Sequence, residues 1–240
     1  MLDPQEEKRF DDLKAMCREL KVPAPPEIMI GLKVHDHNGM LTFDDVQRGH
    51  SWTRNYWNFL FSQSCSAGLG GVASFGAGYM SNKTTGASLQ SSANTIICSY
   101  GKDLTAGDGV GIVCTKAYSI QGIVVGTSGA AFSVDHYTLQ GLISTGSGGG
   151  QLNYVAMGVG SISYNAGTKL WSRNLSRIYN NNSGNSITVS ETGLYAQTDQ
   201  SGTSGYSMEE RSVLNPTVAV ANGAQLTVTY SISMDFSAID

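Results

Sequence analysis

His35 and His37, with Asp36 between them, are the first residues along this chain with the spacing of a metal site. On a strand, residues i and i+2 share a face, so both imidazoles could hold one transition metal. The sequence fixes no third ligand, and His37 borders the turn-forming run Asp36-His-Asn-Gly39. A solvated hairpin is the plainer reading, and no metal is expected. Cys17, Cys65, Cys98 and Cys114 stand 48, 33 and 16 residues apart, which fits neither a zinc knuckle nor a redox pair. They are expected to be buried free thiols. Gly126-Thr-Ser-Gly129 and Gly202-Thr-Ser-Gly205 approach a serine nucleophile elbow without its Gly-x-Ser-x-Gly spacing. Gly107-Asp-Gly-Val-Gly111 lacks the third glycine of a dinucleotide loop and the helix that should follow. Each reads as a turn. With no paired carboxylates at a working separation, the expectation is a protein without catalytic residues or cofactor, and not an enzyme.

One carboxylate calls for a partner. Glu191 falls in line with Ile187 and Val189, so simple alternation turns it toward the core beside Gly193. A buried ionised carboxylate is costly unless paired. Arg177 on the preceding predicted strand and Arg211 on the following one are both available. The expectation is a structural Glu191–arginine pair that fixes strand register.

The elements that must position these residues follow from composition. Of 240 residues, 29 are Gly, 29 Ser and 18 Thr, almost a third, while only 14% are charged against roughly 25% in ordinary globular chains. That mixture, with 40% hydrophobic residues, suits many short strands joined by turns around a real core. The net charge of −4 offers no basic stripe for phosphates, so nucleic acid is not an expected partner. No apolar run is long enough to span a bilayer, and residues 1–20 lack the apolar core of a secretory signal. No membrane association is expected, and the chain reads as one made in a cytoplasm.

Twelve of the 34 charged residues fall within 1–27, which reads as a helical arm ending in a hinge at Val22-Pro-Ala-Pro-Pro26. Asp3 can cap that helix, with Pro4 at its first position. Residues 28–240 form a second unit, a single β-rich domain. It opens with a hairpin around Asp36–Gly39, followed by an amphipathic helix near 52–62 whose Trp52, Tyr56, Phe59 and Leu60 make one apolar face. Short β-like stretches follow at 95–98, 110–115, 122–125 and 155–159, with 137–143 as a possible helical turn. The carboxyl-terminal meander, 170–236, is clearest. Its strands span 170–179, 186–196 and 206–214, with a polar loop over 197–205 and turns at Asn215-Pro216 and Ala221-Asn-Gly223. In the last strand Leu226, Val228, Tyr230, Ile232, Met234 and Phe236 share one face, opposite a Ser/Thr row. The fold class is mainly β, an antiparallel, jelly-roll-like sandwich with a short helical arm.

Leu175-Ser-Arg-Ile-Tyr-Asn-Asn-Asn-Ser-Gly184, Ile187-Thr-Val-Ser-Glu-Thr-Gly-Leu-Tyr195, Glu210-Arg-Ser-Val-Leu214 and the closing Leu226-Thr-Val-Thr-Tyr230 resemble, in this order, a module of virion structural proteins of tailed bacteriophages. His50-Ser-Trp-Thr-Arg-Asn-Tyr-Trp-Asn58 and Gly122-Ile-Val-Val-Gly-Thr127 are similar to pieces of the same group. The resemblance touches most of 48–236 and leaves out the arm. It implies a structural component of the virion, made in the host cytoplasm and self-assembling in the tail, collar or neck. The expected partners are copies of itself and other virion proteins of the portal, neck, tail or capsid. The alternatives are a capsid decoration protein and a glycan-binding receptor-recognition module. In the last, Tyr118, Tyr137, Tyr154, Tyr164 or Trp171 would stack on sugar rings. The residues expected to serve structure or interface are Trp52, Tyr56, Phe59, Leu60, Arg177, Glu191, Arg211 and Tyr230.

Overall fold

A computed structural model describes residues 4–22, 24–49, 52–58, 80–84, 86, 88–89, 111–114, 118–200 and 203–237. Helix α1 (Pro4–Leu20) precedes strands β1 (Glu27–His35), β2 (Leu41–Arg48), β3 (Met80–Ser81), β4 (Ser88–Leu89), β5 (Gly122–Gly126), β6 (Asn153–Tyr154), β7 (Gly158–Val159), β8 (Ser163–Asn165), β9 (Leu170–Asn180), β10 (Ile187–Gln200), β11 (Thr203–Val220) and β12 (Gln225–Asp235). A helical segment at 54–58 follows β2.

Every described pairing between strands is antiparallel. The larger sheet has seven strands in the order β2-β1-β12-β9-β6, with β7 and β8 also on β9; the smaller has the order β11-β10-β5. Alternation drives their packing. Ile28, Ile30, Leu32 and Val34 of β1 and Leu226, Val228 and Tyr230 of β12 are buried in one core with Ile123, Val124, Val125 and Leu194 of the smaller sheet. The two sheets make a sandwich-like arrangement in a mainly β chain. Strand β12 is central, between β1 and β9. Its apolar face is closed only as far as Tyr230; Ile232, Met234 and Phe236 are half-buried.

Side chains also tie the two sheets through backbone carbonyls. Tyr179 donates its hydroxyl to Ile123 O (2.8 Å), and Arg177 donates Nη1 to Gln121 O (2.7 Å) and Ile123 O (2.9 Å). At the opposite edge Gln47 donates Nε2 to Val213 O (3.1 Å) and accepts from Asn215 N (3.0 Å), so one amide joins β2 to β11 like a ladder pair. These bonds satisfy carbonyls that burial would otherwise leave costly.

Helix α1 is held by charge more than by apolar burial. Arg48 at the end of β2 pairs with Glu7 (2.8 Å) and with Glu27, and its guanidinium lies 4.0 Å from the Phe10 ring centroid. Lys14 adds a second contact to Glu27 at 3.1 Å. Cys17 is the buried residue of the helix, whereas Leu13, Met16 and Leu20 are exposed. The arm therefore lies on its own chain's sheet edge.

Four expectations are corrected. Asn215-Pro216 does not reverse the chain: β11 runs through it, and Val189 pairs with Val218 while Glu191 pairs with Val213, so Leu214–Thr217 form a bulge. An edge strand tolerates the loss of the N–H donor that proline lacks. The polar loop expected over 197–205 is mostly ladder, because β10 and β11 continue pairing as far as Gln200 and Thr203. The stretch 155–159 yields only β7, since each short piece along β9 slips register by one residue. Residues 137–143 form a bend and turn with no helix. Stretch 95–98 lies outside the described residues, as do Phe59, Leu60, Cys65 and Cys98.

Candidate functional site

The polar groups in the smaller sheet form two layers. Toward the larger sheet, Thr192 donates to Val124 O (2.9 Å), and the Tyr230 hydroxyl reaches Thr192 Oγ1 (3.3 Å) and Glu210 Oε2 (2.7 Å). Ser212 closes on the other Glu210 oxygen. Strand alternation then turns Glu191, Gly193 and Tyr195 to the opposite face, where loop 127–143 covers them.

That loop leaves β5 and returns beside it, with Thr127 N bonded to Gly141 O (2.8 Å) and Ile143 N to Val125 O (3.0 Å). Its interior is filled from the sheet. Glu191 accepts from Gly141 N (2.6 Å), Gln140 N (3.3 Å) and Arg211 Nε (2.7 Å). Arg211 also donates Nη2 to Ala130 O (2.8 Å) and Nη1 to Ala131 O (3.4 Å). Glu191 and Arg211 are both 0% exposed. Tyr195 accepts from Leu139 N (2.6 Å), and burial pushes its pKa up to about 12. Close approach at the neck requires glycine: a Cβ on Gly126 would stand 2.5 Å from Glu191 Oε1 and 2.8 Å from Gly141 O.

His136 lies on the same loop, its Nδ1 accepting from Ser133 N (3.1 Å) and facing Arg211 Nη1 at 3.4 Å. Burial, and then the Arg211 charge, hold it below the usual histidine range. Arg54 anchors the outside of the loop through Asp135 (2.7 Å).

The structure thus brings Glu191 and Arg211 together beneath a loop, and not between the sheets as alternation suggested. Arg177 goes elsewhere, to the Gln121, Ile123 and Val155 carbonyls. Tyr230 joins Glu210. Trp52 and Tyr56 stack at 3.9 Å between centroids, and the Trp52 indole donates to Pro26 O (3.0 Å), fixing the hinge. His35 ends β1 and His37 sits in the turn, where Asp36 accepts from Asn38 N and Met40 N. Among the described residues no group of three or more His, Cys, Asp or Glu is placed to hold a metal, and Cys17 and Cys114 are buried free thiols. No helix of the described residues is long and apolar enough to cross a membrane.

Sequence reasoning missed Glu209, Glu210 and Lys83. Burial raises both carboxyls to about 8, with hydroxyl bonds from Ser207 to the first and from Ser212 and Tyr230 to the second opposing the rise. Among the described residues Glu209 Oε2 has no hydrogen-bond partner. Lys83 lies 4.7 Å over the Tyr195 ring, and burial lowers it to about 8. The adjacent Glu209-Glu210 pair was the available signal. Neighbouring strand residues face opposite ways, so burial of both requires cover on both faces, which one strand's pattern does not disclose.

Chemically, these acids are sealed. Glu191, Glu209 and Glu210 are each 0% exposed, so none is open to a substrate in this conformation. No protein-family model, curated protein or solved structure matches this chain.

Proposed function

We propose that the chain is a non-enzymatic structural component of a bacteriophage particle, self-assembling in the tail, collar or neck region. One observation carries the reading. The residues that give the resemblance to virion proteins are those that lock the two-sheet body. Asn181 donates to Asn185 O (2.8 Å) and Val220 O (2.7 Å) to build the turn between β9 and β10. Glu191, Leu194, Tyr195, Glu210, Arg211, Leu226, Val228 and Tyr230 are all fully buried. A module whose distinctive residues are spent on rigidity supplies a frame of the kind an assembly subunit needs.

Capsid decoration uses the same frame at another place in the particle. As a glycan-binding face, the candidates divide: Tyr154 is core, while Tyr137, Tyr164 and Trp171 are 38%, 49% and 45% exposed.

Sedimentation velocity of the purified chain across a concentration series tests self-assembly. A discrete species of several copies is expected. A monomer at every concentration contradicts the proposal.

A further inference from the structure

Loop 127–143 covers a fully buried ion pair, and a histidine stands where the loop meets it. His136 Nδ1 accepts from Ser133 N (3.1 Å) in a turn whose other bond runs from His136 N to Ser133 O (3.0 Å). The same Nδ1 faces Arg211 Nη1 at 3.4 Å. An amide N–H and a guanidinium can only donate, so both contacts need the lone pair of Nδ1 and put the neutral ring's proton on Nε2. A second proton, on Nδ1, would set donor against donor twice.

Arg211 gives this position its reach. Its other donors go to Glu191 (2.7 Å) and to the Ala130 and Ala131 carbonyls, which belong to the outgoing arm of the loop. Glu191 in turn receives Gln140 N and Gly141 N from the returning arm. One guanidinium and one carboxylate thus clamp both arms, and the imidazole touches that clamp from the loop side. The charges around the ring oppose one another. Arg211 on β11 repels an imidazolium, whereas Glu191 on β10 and Asp135 on the loop attract it. Asp135 is itself paired with Arg54 of the 54–58 segment (2.7 Å). Burial and the Arg211 charge outweigh the two carboxylates, which is why the ring titrates below the usual histidine range.

We propose that His136 is an acid-released latch: its protonation breaks the Ser133 and Arg211 contacts and opens loop 127–143 from the smaller sheet, uncovering the Glu191–Arg211 pair. The loop stays tied at its neck by Thr127 N on Gly141 O and Ile143 N on Val125 O, and on its outer side by Arg54 N on Val134 O (2.7 Å). The motion is therefore a reversible opening of a tethered segment. Its sign follows from linkage. The closed loop takes up the proton less readily than the open one, so closure is complete above the ordinary histidine value of 6.5 and weakens as pH falls below it. The latch stands apart from the self-assembly proposed above and does not need it.

The test compares the native chain with His136→Asn, whose side-chain oxygen replaces the Nδ1 acceptor and does not titrate. Hydrogen exchange at the Leu139 and Gln140 amides, corrected for its intrinsic pH dependence, is measured at pH 7.5 and pH 5.0. Val228 of β12 monitors the fold and Ile143 the neck. In the native chain the loop amides are expected to exchange at least about tenfold faster at pH 5.0, with Val228 and Ile143 unchanged; in His136→Asn the change stays below about twofold. An equal acid response in both proteins assigns it to Asp135 or Glu191 and overturns the latch. Loop protection that is the same at both pH values, or acceleration shared by Val228, overturns it as well. Should His136→Asn fail to fold, the ring titration of His136 in the native chain, followed by NMR, decides. A midpoint below 6.5 that coincides with loop opening is expected, and one at or above 6.5 overturns the proposal.

Discussion

Replacing Arg211 with Met is expected to lower the unfolding free energy by about 3–5 kcal/mol, the range for breaking one side of a buried ion pair. The cause is the carboxylate left behind. Glu191 would keep two amide donors from loop 127–143 but lose the arginine that neutralises it, at 0% exposure. The loop would loosen as well, because Arg211 also holds the Ala130 and Ala131 carbonyls. Glu191→Gln should be milder, since its amide oxygen can still accept from a backbone N–H. The double variant Arg211→Met/Glu191→Gln should recover much of the loss, and that non-additivity identifies the pair as coupled. Urea unfolding of the four proteins measures it. Full stability in Arg211→Met would remove the pair from the account of the frame.

Glu210→Gln is expected to stabilise the chain at pH 8 by a few kcal/mol and to change little at pH 4.5. Between those values the folded carboxyl keeps its proton, because burial raises its pKa to about 8, whereas the unfolded one, near 4.5, has lost it. The unfolded state therefore binds fewer protons, and stability falls as pH rises, by about 1.4 kcal/mol per pH unit for each such group. The contribution is fully present below 4.5 and lost as pH passes through 8. Glu209 adds a slope of the same sign. Removing one of the two should roughly halve the descent seen in unfolding curves from pH 5 to 8. An unchanged slope would mean that Glu210 is ionised within the fold, its charge met by Arg211, Ser212 and Tyr230.

Much of this frame could be read from residue order. The strict alternation from Leu226 placed β12 centrally, and Asn181-Asn-Ser-Gly184 and Ala221-Asn-Gly223 located their turns, because local chemistry decides both. The need of Glu191 for an arginine followed from the cost of burying its charge. What could not be read depends on cover from distant chain. That Arg211 and not Arg177 answers Glu191 is settled by which strand lies beside β10, a fact of topology. The burial of Glu209 and Glu210 together needs cover on both faces of β11, and for Glu210 it comes from Tyr230 of the opposite sheet. Pro216 looked like a stop because proline ends most strands; only the edge position of β11 and its bulge accommodate it.

The most direct test is the copy number of this chain in intact, purified phage particles, measured by quantitative mass spectrometry against a capsid protein. A fixed number per particle, matching the symmetry of a tail, collar or neck ring, is the expected result. Absence from particles, with the chain found only in the infected cell, would contradict the account.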